Sequence, residues 1–242
     1  MHRIFLQKSA LLKHPIAVKD EKAHYLFSVL RCKTGETLVV TDEEGISYTA
    51  QILSASKREV TIEITGDYIM NTESHLNITL IQGLLKGEKM DFVIQKATEL
   101  GVYGILPVIT ERSQLRATRK HDRWQKIAEE ASRQSGRTRV PEVFEAPAYE
   151  EVFRIPAVVS GKGIIFWEQG GEKLSFAIDK LSREDQITLL IGPEGGFSER
   201  EVSLAAENGF VVSTLGSRIL RAETASIAAV SVIAFALGDL GS

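Results

Sequence analysis

Hydrophobic positions follow two different patterns along this chain, and the first covers residues 1–71. Short runs rich in β-branched residues are separated by glycines, which is typical of strands joined by turns. The predicted strands are 3–6, 37–42, 47–54 and 59–64. Asp20 is a plausible N-cap for one helix, whose buried face would hold Ala23, Leu26, Phe27 and Leu30. Several short strands of this kind favour a small β-barrel over residues 1–71.

From residue 76 onward, strands alternate with helices. Apolar runs predict strands over 77–84, 104–110, 142–145, 163–167, 186–191 and 210–215. Helical periodicity predicts helices over 88–100, 121–135, 149–153, 174–181, 198–208 and 223–240. Such alternation indicates an α/β fold, with a mostly parallel sheet covered by helices, in a second domain over 72–242.

Composition narrows the class of protein. The 242 residues are 43% hydrophobic and 25% charged, which is typical of a globular protein rather than a disordered one. The longest apolar run, 227–237, is interrupted by Ser231 and falls well short of the roughly 20 residues that a membrane span needs. The N-terminal segment lacks the apolar region of a signal peptide, so we expect a cytoplasmic protein. Cys32 is alone, which excludes an intrachain disulfide and a cysteine-cluster metal site, and we expect no metal.

Charge is unevenly distributed along the chain. Residues 112–139, here called the basic segment, contain nine Lys or Arg and three acidic residues, although the whole chain has a formal net charge of −3. Seven of the nine cations are arginine, which favours phosphate recognition over simple solubility. The segment therefore indicates a polyanion-binding surface, and a solvated helix face is the alternative.

A glycine-rich turn follows the most apolar strand. Residues 192–197, here called the glycine turn, lead into Ser198, which with Glu201 predicts a capping box. Ligands of α/β sheets bind at the carboxyl ends of strands, and glycine lets a ligand approach the backbone closely. The turn ends without the lysine of a phosphate-binding loop and contains Glu194 instead. This favours an adenosine-like ligand without phosphate, and a tight turn without a ligand is the alternative.

A second loop, here called the arginine loop, spans residues 215–224, and Glu223 and Thr224 at its end begin the helix that follows. Arg218 and Arg221 flank an apolar pair, Ile219 and Leu220, which suits the wall of a pocket or a contact with a partner. The helix that follows is apolar nearly all round, so it is buried on more than one side. We expect either a surrounding core or a homodimer.

Taken together, several stretches resemble the RsmE family of ribosomal RNA uridine-N3 methyltransferases, in the knotted SPOUT class. The main ones are 84–102 (LLKGEKMDFVIQKATELGV), 129–143 (EEASRQSGRTRVPEV), 189–202 (LLIGPEGGFSEREV) and 215–225 (LGSRILRAETA). HRIF at 2–5 and HYLFSVLR at 24–31 fit the same family, whereas 165–171 is only loosely similar. The match spans the chain, and the motifs keep their order and spacing.

The resemblance implies methylation of N3 of a uridine in 16S ribosomal RNA of the small ribosomal subunit, with S-adenosylmethionine as the methyl donor. It further implies a cofactor bound in a trefoil knot, an N-terminal PUA-like barrel that helps hold RNA, and a homodimer. Arg221 is then the first catalytic candidate, because a guanidinium would stabilise negative charge on the uridine carbonyl oxygens. Glu223 is the candidate base, or the group that orients Arg221.

The expected cofactor contacts share a position at the ends of the predicted strands: Trp167, Glu168, Ile191, Gly192, Pro193, Glu194, Gly195, Gly196, Leu215, Gly216, Ile219 and Leu220. The expected RNA contacts are mainly cationic: Arg3, His24, Arg31, Arg112, Arg133 and Arg137. His24 fits a helix-face histidine equally well.

Two other functions stay open at this point. One keeps the fold and the cofactor but acts on transfer RNA. The other is a non-catalytic RNA-binding protein of ribosome assembly, for which the basic segment and the barrel would suffice. The glycine turn and residues 221–224 favour an enzyme.

Overall fold

The computed structural model describes residues 1–69, 72–115 and 117–241, and the chain divides into two compact units. The first comprises Met1–Glu73 together with Ser132–Arg139, and the second comprises Ser74–Ala131 and Val140–Ser242. Among the described residues, no helix is both long and apolar enough to cross a bilayer.

The first unit is built around one five-stranded sheet. Its elements in chain order are β1 (His2–Phe5), α1 (Lys8–Leu11), β2 (Ile16–Lys19), α2 (Asp20–His24), a π-helical turn (Tyr25–Val29), β3 (Thr37–Thr41), β4 (Ser47–Ala55) and β5 (Glu59–Asp67). The strand order is β1-β3-β4-β5-β2, with β1 parallel to β3 and the other neighbours antiparallel. The predicted barrel is thus a curled open sheet, with β1 and β2 at its edges.

The helical segment of this unit departs from the predicted face. Asp20 is the first helical residue, with a φ of 56°, instead of the cap. Ala23 and Leu26 are buried, but 40% of the surface of Phe27 is exposed. A π-helical turn inserts an extra residue into the repeat, so Phe27 rotates away from the face that a regular α-helix would bury, whereas Leu30 still packs against the core.

The second unit has a seven-stranded sheet in which every neighbouring pair is parallel, which confirms the predicted α/β class. Its elements are β6 (Asn77–Gly83), α3 (Lys89–Glu99), β7 (Gly104–Val108), α4 (His121–Ser135), β8 (Glu142–Val143), α5 (Tyr149–Val152), α6 (Pro156–Val159), β9 (Lys162–Phe166), β10 (Glu172–Lys173), α7 (Leu174–Ile178), β11 (Gln186–Ile191), α8 (Glu199–Glu207), β12 (Val211–Thr214) and α9 (Ala222–Ala236). The last turn of α4 is grouped with the first unit.

Strand β11 is buried on both faces, as its apolar sequence predicts. Ile187, Leu189 and Ile191 face one core, shared with α3 and α9, while Leu190 faces a second core that contains Phe197. Alternate side chains of a strand point to opposite faces, so an unbroken apolar run supplies both layers.

The chain doubles back after β12. The strand order is β10-β12-β9-β11-β6-β7-β8, so β12 lies beyond β9, towards one edge. The arginine loop then returns the chain to α9, which packs against β11, β6 and α3. This return path is where the family resemblance places the knot.

Candidate active site

One cavity of about 460 Å³ lies at the carboxyl ends of β9, β11 and β12, which are adjacent in the sheet. Three segments that follow these strands line it, namely 167–168, the glycine turn and the arginine loop. Parallel strands end at the same edge of a sheet, so segments far apart in sequence meet there. The volume lies in the range of small-molecule sites.

Every cofactor residue predicted from the sequence lines this cavity, and so do Arg221 and Glu223. The structure therefore brings the whole predicted set together, although lining a cavity does not assign a ligand role. Arg218, named in the sequence as part of the arginine loop, also lines the cavity, and sequence reasoning missed six other lining residues: Lys89, Phe166, Phe197, Thr214, Ala222 and Ala225. Lys89 was the hardest to anticipate, because it comes from helix α3 and not from a segment next to the glycine turn in sequence.

Close contacts explain the glycines of the turn. Gly196 has a φ of +68°, and a Cβ there would lie 2.6 Å from Oε1 of Glu168.

The predicted capping box is confirmed, since Ser198 Oγ accepts from the Glu201 amide at 3.3 Å and the Glu201 carboxylate accepts from the Ser198 amide at 2.9 Å. The cap fixes the start of α8 directly after the turn.

Glu194, whose carboxylate the sequence suggests as a ligand contact, also makes hydrogen bonds within the protein. Its Oε1 accepts from the Lys86 amide at 3.1 Å and from Lys89 Nζ at 3.0 Å. Burial raises the pKa of Glu194, but hydrogen bonds from its own backbone, from Lys89 and from Lys86 outweigh burial and hold that pKa below its usual value. In this structure Glu194 joins the glycine turn to the start of α3.

Two residues that line the cavity each carry a buried polar side-chain atom with no hydrogen-bond partner among the residues that the structure describes. These atoms are Nε1 of Trp167, a donor, and Oε2 of Glu223, an acceptor. An unsatisfied buried polar atom costs free energy, so a ligand that offers an acceptor to one and a donor to the other is favoured.

Arg221 is exposed and directly precedes α9. Its guanidinium has no ion-pair partner among the residues that the structure describes, whereas Arg123 pairs with Asp91 at 2.5 Å. Ile219, in the same loop, is 83% exposed. An unpaired guanidinium at the rim of a cavity is available to an anionic or polarised group of a ligand.

Two of the predicted RNA contacts are buried. Arg3 is 6% exposed and donates to the hydroxyls of Thr41 and Ser47. Arg137 is 3% exposed, and its Nη2 lies 2.7 Å from Oε2 of Glu73. Burial lowers the pKa of Arg3, in opposition to Tyr68 and Glu73. Neither guanidinium is accessible to a phosphate, because each is buried and hydrogen-bonded inside the first unit.

Three further RNA candidates also lie in the first unit. His24 and Arg31 are exposed, and the Arg133 guanidinium lies 4.6 Å from the centre of the Tyr25 ring. A guanidinium that stacks on an aromatic ring is held in place by that contact.

The remaining candidate, Arg112, lies in the second unit and is exposed. Its Nη1 donates to the carbonyl oxygen of Gly195 at 3.2 Å, so this residue of the basic segment contacts the glycine turn. Arg116, counted in the same segment, lies outside the described residues. Nowhere in the described ranges do three or more His, Cys, Asp or Glu residues come together as a metal site.

Comparison with known proteins places this geometry in a family. An RNA methyltransferase domain model matches residues 72–234, and an RNA methyltransferase PUA domain model matches residues 18–65. Ribosomal RNA small subunit methyltransferase E of Bacillus subtilis is 31% identical, over 97% of this chain and 96% of its own length. The protein of the same name from Buchnera aphidicola (subsp. Acyrthosiphon pisum) is 32% identical, over 98% of this chain and 94% of its own.

Solved structures agree with the sequence comparison. Ribosomal RNA small subunit methyltransferase E from Neisseria gonorrhoeae, bound to S-adenosylmethionine, has a TM-score of 0.90 and 36% identity over 99% of each chain. A Legionella pneumophila protein solved with the same cofactor has a TM-score of 0.87 and 32% identity over 97% of each chain. With a model that matches most of its length and relatives aligned almost end to end, this chain belongs to the RNA methyltransferase family that includes ribosomal RNA small subunit methyltransferase E.

Proposed function

We propose that this protein transfers the methyl group of S-adenosylmethionine to N3 of a uridine in 16S ribosomal RNA of the small ribosomal subunit. The observation that carries the proposal is the cavity where the glycine turn and the arginine loop meet, in a chain of the RNA methyltransferase family. The relatives' names supply the RNA class, and the Neisseria gonorrhoeae structure supplies the cofactor.

The cavity wall fits this cofactor chemically. Apolar side chains such as Phe166 and Leu220 suit the adenine ring, and the backbone of the glycine turn is open to close approach. Cationic and anionic groups both line the wall, which suits a ligand that carries charges of both signs. The unpartnered atoms of Trp167 and Glu223 would gain hydrogen bonds from a polar ligand. We assign the predicted cofactor residues to this role, with Glu194 acting through its ion pair with Lys89.

When bound, S-adenosylmethionine supplies an electrophilic methyl group on a sulfonium. The acceptor nitrogen must first lose its proton, which leaves negative charge on the two neighbouring carbonyl oxygens of the uracil ring. We assign the stabilisation of this charge to Arg221. The partnerless Oε2 of Glu223 takes the N3 proton, or holds Arg221 in position. The base must leave its stack to reach the cavity.

We propose that RNA is held mainly by the first unit, which contains the match to a PUA domain model. His24, Arg31 and the stacked Arg133 are the contacts that its surface supports. Arg112 would add a phosphate contact beside the glycine turn. The buried Arg3 and Arg137 are left out of this set.

We further propose a homodimer in the cytoplasm, where a 16S ribosomal RNA substrate is found. Phe235 of α9 is 70% exposed and Val232 is 39% exposed, on a helix whose opposite side is in the core. Exposed apolar side chains clustered on one helix are typical of a surface that a second subunit covers.

The test is methyl transfer from labelled S-adenosylmethionine to 16S ribosomal RNA, to small ribosomal subunits and to transfer RNA, followed by mapping of the modified nucleotide. We expect incorporation into the small-subunit substrates at N3 of a uridine. Equal or preferred incorporation into transfer RNA would contradict the assigned substrate. Cofactor binding without transfer to any RNA would instead indicate a non-catalytic assembly protein.

A further inference from the structure

Gln82, the penultimate residue of β6, is a polar side chain that is completely buried. Its Nε2 donates to the carbonyl oxygen of Gly192 at 3.1 Å and to that of Gly83 at 3.0 Å. Its Oε1 accepts from the hydroxyl of Ser226. Both amide hydrogens and the amide oxygen are therefore paired.

Ser226 stands at the other end of this contact, one turn into α9, and is 1% exposed. Its Oγ also lies 2.9 Å from the carbonyl oxygen of Ala222, the first residue of the helix. The Gln82 side chain thus connects the first residue of the glycine turn to the helix start that follows Arg221 and contains Glu223. Neither Gln82 nor Ser226 lines the cavity.

The backbone is equally close at this point. A Cβ on Gly83 would lie 2.5 Å from the nitrogen of Pro193 and 2.9 Å from the carbonyl carbon of Gly192. The end of β6 is therefore in direct contact with the glycine turn, and Gln82 fixes that contact with a hydrogen bond. A buried amide costs free energy unless all its polar atoms are paired, so the network is favourable in one arrangement only.

We propose that Gln82 and Ser226 are positioning residues for methyl transfer, and that their hydrogen bond sets the spacing between the glycine turn and the Arg221–Glu223 pair. The inference rests on the proposed function, which places the methyl donor against the glycine turn and the uridine beside Arg221 and Glu223. Methyl transfer needs the donor and acceptor atoms in line, and a displacement of about 1 Å can cost on the order of 10²-fold in rate. Loss of the bridge should therefore slow the transfer more than it weakens cofactor binding.

The first test is Ser226→Ala, assayed for methylation of small ribosomal subunits and for cofactor affinity by calorimetry. At saturating substrates we expect kcat to fall roughly 10-fold or more, because reacting groups lose their alignment. The backbone conformation within the glycine turn and within the arginine loop should not change. We therefore expect the Kd for S-adenosylmethionine to change less than about 3-fold, which is less than about 0.7 kcal/mol of binding free energy. Ser213→Ala is the matched control. Ser213 is also buried, but it lies in strand β12 and its hydroxyl donates to the carbonyl oxygen of Glu172 at 3.1 Å, so we expect kcat to stay near the wild-type value.

Melting temperatures separate positioning from folding. Ser226→Ala and Ser213→Ala each remove one buried hydroxyl, and we expect both to unfold at a somewhat lower temperature, with kcat lowered only in Ser226→Ala. The double variant Gln82→Met/Ser226→Ala also takes the amide donor from the carbonyl oxygens of Gly192 and Gly83, so we expect a lower melting temperature and a kcat no higher than that of Ser226→Ala. Wild-type kcat in Ser226→Ala, an equal loss in Ser213→Ala, or wild-type kcat in the double variant would each overturn the inference. The wild-type chain is assayed in parallel. Failure of the proposed function abolishes transfer in every arm, whereas failure of the bridge leaves the variants as active as the wild type.

Discussion

At the residue scale, the arginines of this protein differ in their surroundings more than in their chemistry. Arg137 is buried against Glu73, Arg112 donates to the glycine turn, and Arg221 stands exposed at the cavity. A guanidinium that is already paired and desolvated has no capacity left for a ligand, whereas an exposed one does. The catalytic assignment of Arg221 therefore depends on its freedom as well as on its position.

Arg221→Ala tests that assignment directly. Removal of a group that stabilises transition-state charge typically lowers kcat by about 10²- to 10³-fold, and we expect a loss of that size here. Cofactor affinity, measured by calorimetry, should change little because the role proposed for Arg221 is towards the nucleobase. Arg154→Ala, at an exposed position outside the cavity lining, is the control. Turnover near the wild-type value in Arg221→Ala would remove it from the catalytic set.

Arg133→Ala tests the RNA surface of the first unit. Each phosphate contact that is lost lowers the slope of log affinity against log salt by about 1. We therefore expect weaker RNA binding with a shallower salt dependence, measured by filter binding across a salt series. The measured slope would stay at its wild-type value if the stacked guanidinium touches no phosphate.

At the element scale, the site depends on a strand end that contacts a turn with no side chain between them. Gly83 ends β6 in direct contact with the glycine turn.

Glu73 makes a second contact between elements, because its side chain binds the segment after α4. The Glu73 carboxylate accepts from the Thr138 amide at 2.8 Å and from the Arg139 amide at 2.9 Å, besides Arg137. These contacts explain why Ser132–Arg139 is grouped with the first unit.

Gly83→Ala should displace the glycine turn. The new methyl group would overlap the Pro193 nitrogen, which is a backbone atom that cannot move alone. We expect cofactor affinity to fall about 10-fold or more, equivalent to roughly 1.4 kcal/mol, in calorimetric titrations. Gly66→Ala is a suitable control, since a Cβ at that position meets no atom within 4 Å. Equal affinities for the two variants would show that the turn tolerates the displacement.

Glu73→Gln should destabilise the protein in a pH-dependent way. Burial raises the pKa of Glu73, but hydrogen bonds from Arg137 and from two backbone amides hold that pKa below the usual 4.5. A carboxyl with a depressed pKa contributes stability above its unfolded pKa and loses it as the pH falls through the folded one. At neutral pH the variant should therefore lose on the order of 3 kcal/mol of stability, because the buried Arg137 loses its ion pair with the Glu73 carboxylate.

Denaturant unfolding at neutral pH and below pH 4.5 measures this difference. The gap between wild type and Glu73→Gln should narrow in acid, because the wild type loses its carboxylate there. Glu59→Gln removes a largely exposed ion pair with Lys19, and we expect an effect within about 0.5 kcal/mol. A gap that stays constant with pH would contradict the role given to the Glu73 charge.

At the scale of the whole molecule, the two units have separate cores. The sheet of the first unit encloses its own apolar cluster, and the parallel sheet of the second is covered on both faces. The family models match the two units separately, with a PUA domain in residues 18–65 and a methyltransferase domain in 72–234, except that residues 132–139 fall in the methyltransferase match but are grouped with the first unit. Under the proposed function, we expect substitutions on the first unit to weaken RNA binding and those at the cavity to slow methyl transfer.

Phe235→Glu tests the proposed homodimer. Phe235 is 70% exposed on α9, so a charge there should be tolerated by the monomer but should prevent an apolar interface from closing. We expect sedimentation velocity to show a shift from dimer to monomer with little change in melting temperature. Glu207→Gln, at an exposed position on α8, is the control. A wild-type chain that sediments as a monomer would contradict the proposal.

The sequence by itself determined the α/β class, the doubly buried β11, the capping box at Ser198 and the set of turns that line the cavity. These follow from local patterns, because periodicity reports which faces are buried and parallel strands end at a common edge. Only the tertiary structure decided which arginines are buried, where Glu194 points, and that Gln82 joins the glycine turn to Ser226. Those outcomes depend on partners distant in sequence, such as Glu73 for Arg137. A local sequence pattern can predict that a residue is buried, but it does not show which distant residue pairs with it.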